Sequence, residues 1–115
     1  MMRRGEIRSV DLPASGSEAD KRRPAIIVSN DTANVTAMRL GRGVVTVVPV
    51  TSNIERIYPF QVLLPSTETG LERDSKAQAE QVRSVAVERI GPRLGAVPAA
   101  IMLRIDEALR LHLAL

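Results

Sequence analysis

The chain has 115 residues, 44% hydrophobic and 25% charged, which excludes wholesale disorder and fits a single domain spanning 1–115. With no cysteine and one histidine it excludes disulfides, thiolate zinc sites, cysteine nucleophiles and His-rich metal clusters, so the usual hydrolase and zinc-enzyme chemistries have nothing to work with. Sixteen Lys and Arg against thirteen Asp and Glu leave +3, which permits an anionic partner, and with Tyr58 and Phe60 as the aromatics the core must be aliphatic and stacking platforms for nucleic acid are few.

Met1-Met2-Arg3-Arg4 is basic, but Gly5-Glu6-Ile7-Arg8 follows where a signal peptide needs an apolar stretch. Charges or prolines interrupt every apolar run before the length of a membrane span, so a soluble, cytoplasmic protein is expected. Five short apolar segments separated by turn chemistry read as strands: Glu6 to Leu12, Pro24 to Ser29, Val44 to Val50, Tyr58 to Leu64 and Arg83 to Ile90. Ala25-Ile26-Ile27-Val28 and Val44-Val45-Thr46-Val47-Val48 are β-branched runs that suit central strands, while Arg83 to Glu88 alternates as a half-buried strand does.

Pro13 to Arg22 is polar and small, a surface loop, and a second polar loop spans Ser52 to Ile57. Asn30 or Asp31 can cap a short helical turn over 30–36. Pro65 to Gly70 is a turn-rich connection, and Asp74 to Gln81 is ambiguous between helix and strand. Pro98 suits a first helical position, and Ile101, Ile105, Ala108, Leu109, His112 and Leu113 recur at three- and four-residue steps, an amphipathic C-terminal helix. Strands closed by a helix predict a mainly β fold with short helices, a small and strongly curved barrel-like sheet.

Gly5-Glu6-Ile7, Val10-Asp11-Leu12, Gly16-Ser17-Glu18 and Arg23-Pro24-Ala25-Ile26-Ile27-Val28-Ser29 form an ordered series. It continues through Asn30-Asp31, Val48-Pro49-Val50-Thr51-Ser52, Tyr58-Pro59-Phe60-Gln61-Val62, Glu80-Gln81-Val82-Arg83-Ser84 and Asp106-Glu107-Ala108-Leu109. No single piece is specific, but the ordered set resembles the MazF/PemK toxin family over nearly the whole chain. That resemblance implies an SH3-like β-barrel, a homodimer, and a metal-independent endoribonuclease without cofactor that cuts single-stranded RNA at short motifs. It also implies an inhibitory antitoxin of the MazE kind, with operator DNA bound only through the toxin–antitoxin complex.

Arg23 sits before Pro24, which favours an extended backbone. Read bare it is a solvated or salt-bridged arginine; the resemblance makes it catalytic, a guanidinium that stabilises charge on the scissile phosphate. Thr51, otherwise a polar strand terminus, becomes the second catalytic residue, with Ser52 as a helper. Glu18 falls in the loop that the family folds over RNA, Lys21 and Arg22 are candidate phosphate contacts, and Gln81 and Arg83 either reach RNA or help set the barrel. The resemblance implies attack of the ribose 2′-OH, leaving 2′,3′-cyclic phosphate and 5′-OH ends, a reaction closed to DNA. His112 reads as packed or dimer-facing, and Tyr58-Pro59-Phe60 as core packing. Arg8 replaces the family's usual aromatic, and the loop after Pro13 is about one residue short; both favour the alternative of a weak or inactive SH3-like dimeric module that docks an antitoxin peptide or nucleic acid. A gyrase-poisoning relative fits less well, because Arg23-Pro24 and Thr51-Ser52 resemble the RNA-cutting branch.

Overall fold

The computed structural model describes residues 2–12 and 21–115. Its strands are β1 (Glu6–Leu12), β2 (Lys21–Ile27), β3 (Val44–Thr51), β4 (Gln61–Leu64), β5 (Ser75–Gln78), β6 (Arg83–Ala86) and β7 (Ile90–Ala96), and its α-helices are α1 (Asp31–Leu40), α2 (Ser66–Thr69) and α3 (Ala99–Leu113). Every described ladder is antiparallel, in the order β4-β5-β3-β2-β1-β7, with β6 also on β3.

The β-branched runs of β2 and β3 are central, as their patterning predicts, because both faces of the sheet are buried. Alternation sorts the side chains into two cores. Ile7, Ile26, Val48 and Val50 enter one core with Val62, Leu64 and Ala77. Val10, Leu12, Ala25, Ile27, Val45 and Val47 enter a second core on the opposite face, beneath Ala37 of α1. Ile101, Met102, Ile105 and Ala108 of α3 cover the first core.

Several elements differ from the sequence-based expectation. The expected short turn at 30–36 is a ten-residue helix, capped by Asn30 Oδ1, which accepts from Ala33 N at 2.8 Å, and ended by left-handed Gly41. Its weak helix formers are outweighed by burial of Asn34 and Ala37. The ambiguous 74–81 segment becomes β5 followed by a 3-10 turn at Ala79–Gln81, because Ala77 pairs with both Val50 and Val62. The fourth strand begins only at Gln61: Gln61 N donates to Tyr58 O at 2.8 Å, so 58–61 is a turn. Arg83 to Ile90 divides into β6, a 3-10 turn at Val87–Arg89, and the start of β7.

Strand β7 has no counterpart among the predicted strands, since Gly91, Pro92 and Gly95 argue against one. It exists as an edge strand whose described ladder runs only to β1, with register shifts near Arg8, and an edge tolerates proline. No described ladder joins β7 back to β4. Backbone packing bridges that gap instead: a Cβ on Gly95 would stand 2.1 Å from Thr69 O, and one on Gly70, at φ +83°, would stand 3.7 Å from Gly95 Cα. The barrel is thus partly open, sealed by glycine contacts and by α3. Pro98 is the residue preceding α3 rather than its first residue, and His112, expected to be packed or dimer-facing, is exposed in the last turn of α3 in the single chain.

Candidate active site

Arg23 lies on β2 two residues before Ala25, and Thr51 on β3 four residues after Val47, so period-two alternation puts both on the face of the second core. The β2–β3 ladder is described as far as Ala25 opposite Pro49. Its next step would bring Pro24 opposite Val50, and Pro24 has no N–H to give. The Val50 carbonyl is met by Arg23 instead, whose Nη2 lies 3.4 Å from Val50 O and donates to Gln78 Oε1 at 3.1 Å. Two neutral oxygens therefore hold one corner of a half-buried guanidinium, and Nε and Nη1 keep their hydrogens for other partners.

Thr51 ends β3, paired with Lys76 on β5. Its Oγ1 accepts from Asn53 N at 3.2 Å, which occupies a lone pair and leaves the hydroxyl hydrogen to donate. Ser52, next in the chain, is exposed. Buried Lys76 donates through Nζ to Arg56 O at 2.6 Å and lies 5.9 Å from the Tyr58 ring centroid, so it ties the 52–60 loop to the sheet beside Thr51. Tyr58 and Phe60 stack with centroids 5.4 Å apart, and Tyr58 is 42% exposed, so this pair is surface structure more than the core packing expected of it.

Arg23, Pro24, Val50, Thr51 and Ser52 open onto a cleft of about 600 Å³. The segment after α2 and strand β7 complete its lining, with Gly70, Leu71, Glu72, Arg73 and Ser75 from the first and Arg93 and Leu94 from the second. Three arginines and one carboxylate, Glu72, line it, so the cleft is electropositive. Reading the sequence missed Arg73 and Arg93, which line the cleft, and Gln78, which accepts from Arg23. Arg73 and Arg93 are far from Arg23 in sequence and sit in segments without a motif, and Gln78 is recognisable only from the β4–β5–β3 pairing.

The other predicted site residues fall elsewhere. Arg22 points away from Arg23 by alternation; its Nη1 is 3.4 Å from Ser9 O, and a Cβ on Gly91 would stand 2.4 Å from it. The backbone of Lys21 pairs with Leu12 at the end of the β1–β2 ladder. Gln81 closes the 3-10 turn after β5, and Arg83 pairs with Val47, about 13 Å along β3 from Thr51 at 3.3 Å per residue. Neither lines the cleft. Glu18 lies outside the described residues. Arg8 spends its donors internally, on Glu6 Oε1 at 2.9 Å and Gly91 O at 2.8 Å, where it braces β1 against β7.

The chain is similar to known proteins over nearly its whole length. The model of the PemK-like, MazF-like toxins of type II toxin–antitoxin systems matches residues 3–113, and the chain belongs to that family. It is 66% identical over 116 residues to the endoribonuclease MazF9 of Mycobacterium tuberculosis, covering 100% of this chain and 98% of that protein. It is 31% identical over 117 residues to the endoribonuclease EndoA of Bacillus subtilis, covering 100% and 97%. Among solved structures, a mycobacterial endoribonuclease in complex with its cognate antitoxin superposes with a TM-score of 0.76 at 27% identity, covering 100% of this chain and 97% of that one. MazF from Deinococcus radiodurans gives 0.76 at 27% identity, covering 99% and 97%.

Proposed function

We propose that this chain, as a single domain, is the toxin of a type II toxin–antitoxin pair and cuts single-stranded RNA in the cytoplasm without a metal. The observation that carries the reading is the convergence of Arg23 and Thr51 on one sheet face at the mouth of an electropositive cleft, in a chain related to endoribonucleases over its full length. The ribose 2′ oxygen attacks the adjacent phosphorus as the bond to the 5′ oxygen breaks. The 2′-OH proton leaves to solvent and the departing 5′ oxygen takes one up, giving 2′,3′-cyclic phosphate and 5′-OH ends. Arg23, with Nη2 fixed by Val50 O and Gln78, directs Nε and Nη1 at the developing charge, and the Thr51 hydroxyl donates to a phosphate oxygen. Arginine stays protonated in proteins, so Arg23 acts as an electrostatic clamp rather than a base. Preorganised donors aimed at developing charge, together with positioning, supply the rate enhancement.

Ser52 assists at the cleft mouth, and Glu18, Lys21, Arg22, Gln81 and Arg83 contact the RNA. Exposed Leu103 and Leu111 on α3 support a homodimer, since apolar surface of this kind marks interfaces. A MazE-like antitoxin with an acidic segment suits the arginine-lined cleft, and operator DNA is reached through the complex. Mixed-sequence RNA incubated with the purified protein in EDTA is expected to give discrete fragments ending in 2′,3′-cyclic phosphate, absent with a folded Arg23→Ala variant. Equal cutting by both proteins, or uncut RNA with the folded parent, refutes the mechanism.

A further inference from the structure

The cleft is larger than the proposed reaction centre requires. About 600 Å³ is the volume of about twenty water molecules at roughly 30 Å³ each, far more than one phosphate displaces. Besides Arg23 and Thr51, its lining carries two further exposed guanidiniums, Arg73 and Arg93. Neither forms a salt bridge among the described residues, and the bond recorded for the Arg93 side chain there is a 3.4 Å contact from Nε to Gly95 O. The part of the lining that carries them is fixed by backbone: Gly95 lies so close to Thr69 O that no side chain fits, and this holds the α2–β5 segment against β7. Arg73 and Arg93 thus come from two segments held together by backbone contact and line the same cleft as Arg23.

We infer that Arg73 and Arg93 form a second phosphate site, which grips a backbone phosphate next to the scissile one and sets the register in which the RNA lies over Arg23 and Thr51. The inference rests on the RNA-cutting reading for its ligand but is tested by binding alone. Two guanidiniums suit a phosphate diester, whose two free oxygens accept from separate donors.

The test measures binding of a fluorescently labelled 2′-O-methyl oligonucleotide of mixed sequence, which lacks the attacking hydroxyl, by anisotropy over a range of salt concentrations. Arg73→Ala and Arg93→Ala are each expected to raise Kd roughly tenfold, the loss of one charge-assisted contact. Each should flatten the slope of log Kd against log salt by about 0.7, the value for one single-strand phosphate contact. Arg39→Ala, which removes a charge in the last turn of α1 from a residue that does not line the cleft, is the control and should match the parent. In an Arg23→Ala background, Arg93→Ala should still flatten the slope by the same amount. An unchanged Kd and slope in the single variants overturns the inference. So does the absence of any further effect in the Arg23→Ala background, which would place all the arginines on one phosphate. If the parent binds as expected yet cuts no RNA, the endonuclease reading fails while the second phosphate site stands.

Discussion

Gly95→Ala tests the seam that shapes the cleft. An added Cβ would stand 2.1 Å from Thr69 O and 3.2 Å from Thr69 C, and both neighbours are backbone with no rotamer to yield. Restoring an ordinary carbon–oxygen separation of about 3.3 Å requires β7 and the end of α2 to part by about 1.2 Å. Overpacking of this kind costs about 3 kcal/mol, at the upper end of its range because neither side can repack. At about 4 °C per kcal/mol for a chain of this size, the melting temperature should fall by about 12 °C. Gly41→Ala gives the internal scale: Gly41, unlike Gly95, has a positive φ, +65°, but a Cβ there meets nothing within 4 Å, so the variant pays only the left-handed backbone penalty of about 1 kcal/mol. Both variants would be melted by far-ultraviolet circular dichroism at one protein concentration, because self-association makes the midpoint concentration-dependent. Gly95→Ala melting within a degree or two of Gly41→Ala would refute the seam, and with it the rigid placement of Arg93 in the cleft.

Gln78→Met keeps the side-chain length but removes the oxygen that holds Arg23 Nη2, so kcat should fall roughly fivefold, the value of one ordinary hydrogen bond, with KM little changed. In an Arg23→Lys background the same substitution should have no further effect; an equal loss in both backgrounds would mean that Gln78 acts only on the fold. Asn34→Ala removes a fully buried amide that donates to Ser29 O at 2.9 Å and accepts from Ser29 Oγ at 2.5 Å. A loss of about 2 kcal/mol is expected from the stranded partners, read as a lower urea midpoint with an unchanged m-value. Lys76→Met retains the packed stem but loses the bond to Arg56 O, so amides of the 52–60 loop should exchange faster while global stability stays within about 1 kcal/mol of the parent. Unaltered exchange there would show that the loop is held by other means.

Much of the architecture was legible where local chemistry and burial agree. The β-branched segments around Ile26 and Val47 became central strands, because a run that is apolar on both sides needs burial on both faces. The 3.6-residue spacing from Ile101 to Ala108 became the helix over the first core. Past Leu109 the same periodicity no longer meets this chain's own core: His112 and Leu113 continue the pattern, yet both are exposed in the single chain. Strand β7 was hidden because glycine and proline lower strand propensity, and only β1 beside it supplies the ladder that offsets this.

The sequence by itself determined which side chains are available for chemistry and the order in which the chain presents them: Arg23 before a proline, Thr51 at the end of a β-branched run, and no thiol or imidazole pair to compete with them. The resemblance to the toxin family singled these two out, and period two sends them to the faces of Ala25 and Val47. Only the tertiary structure decided what surrounds them. Gln78 reaches Arg23 across 55 residues of chain, and Arg73 and Arg93 join the same cleft because two glycines let backbones from distant segments touch. Such neighbours depend on strand register and on an approach too close for any side chain, which are properties of the packed sheet and not of any short stretch of sequence.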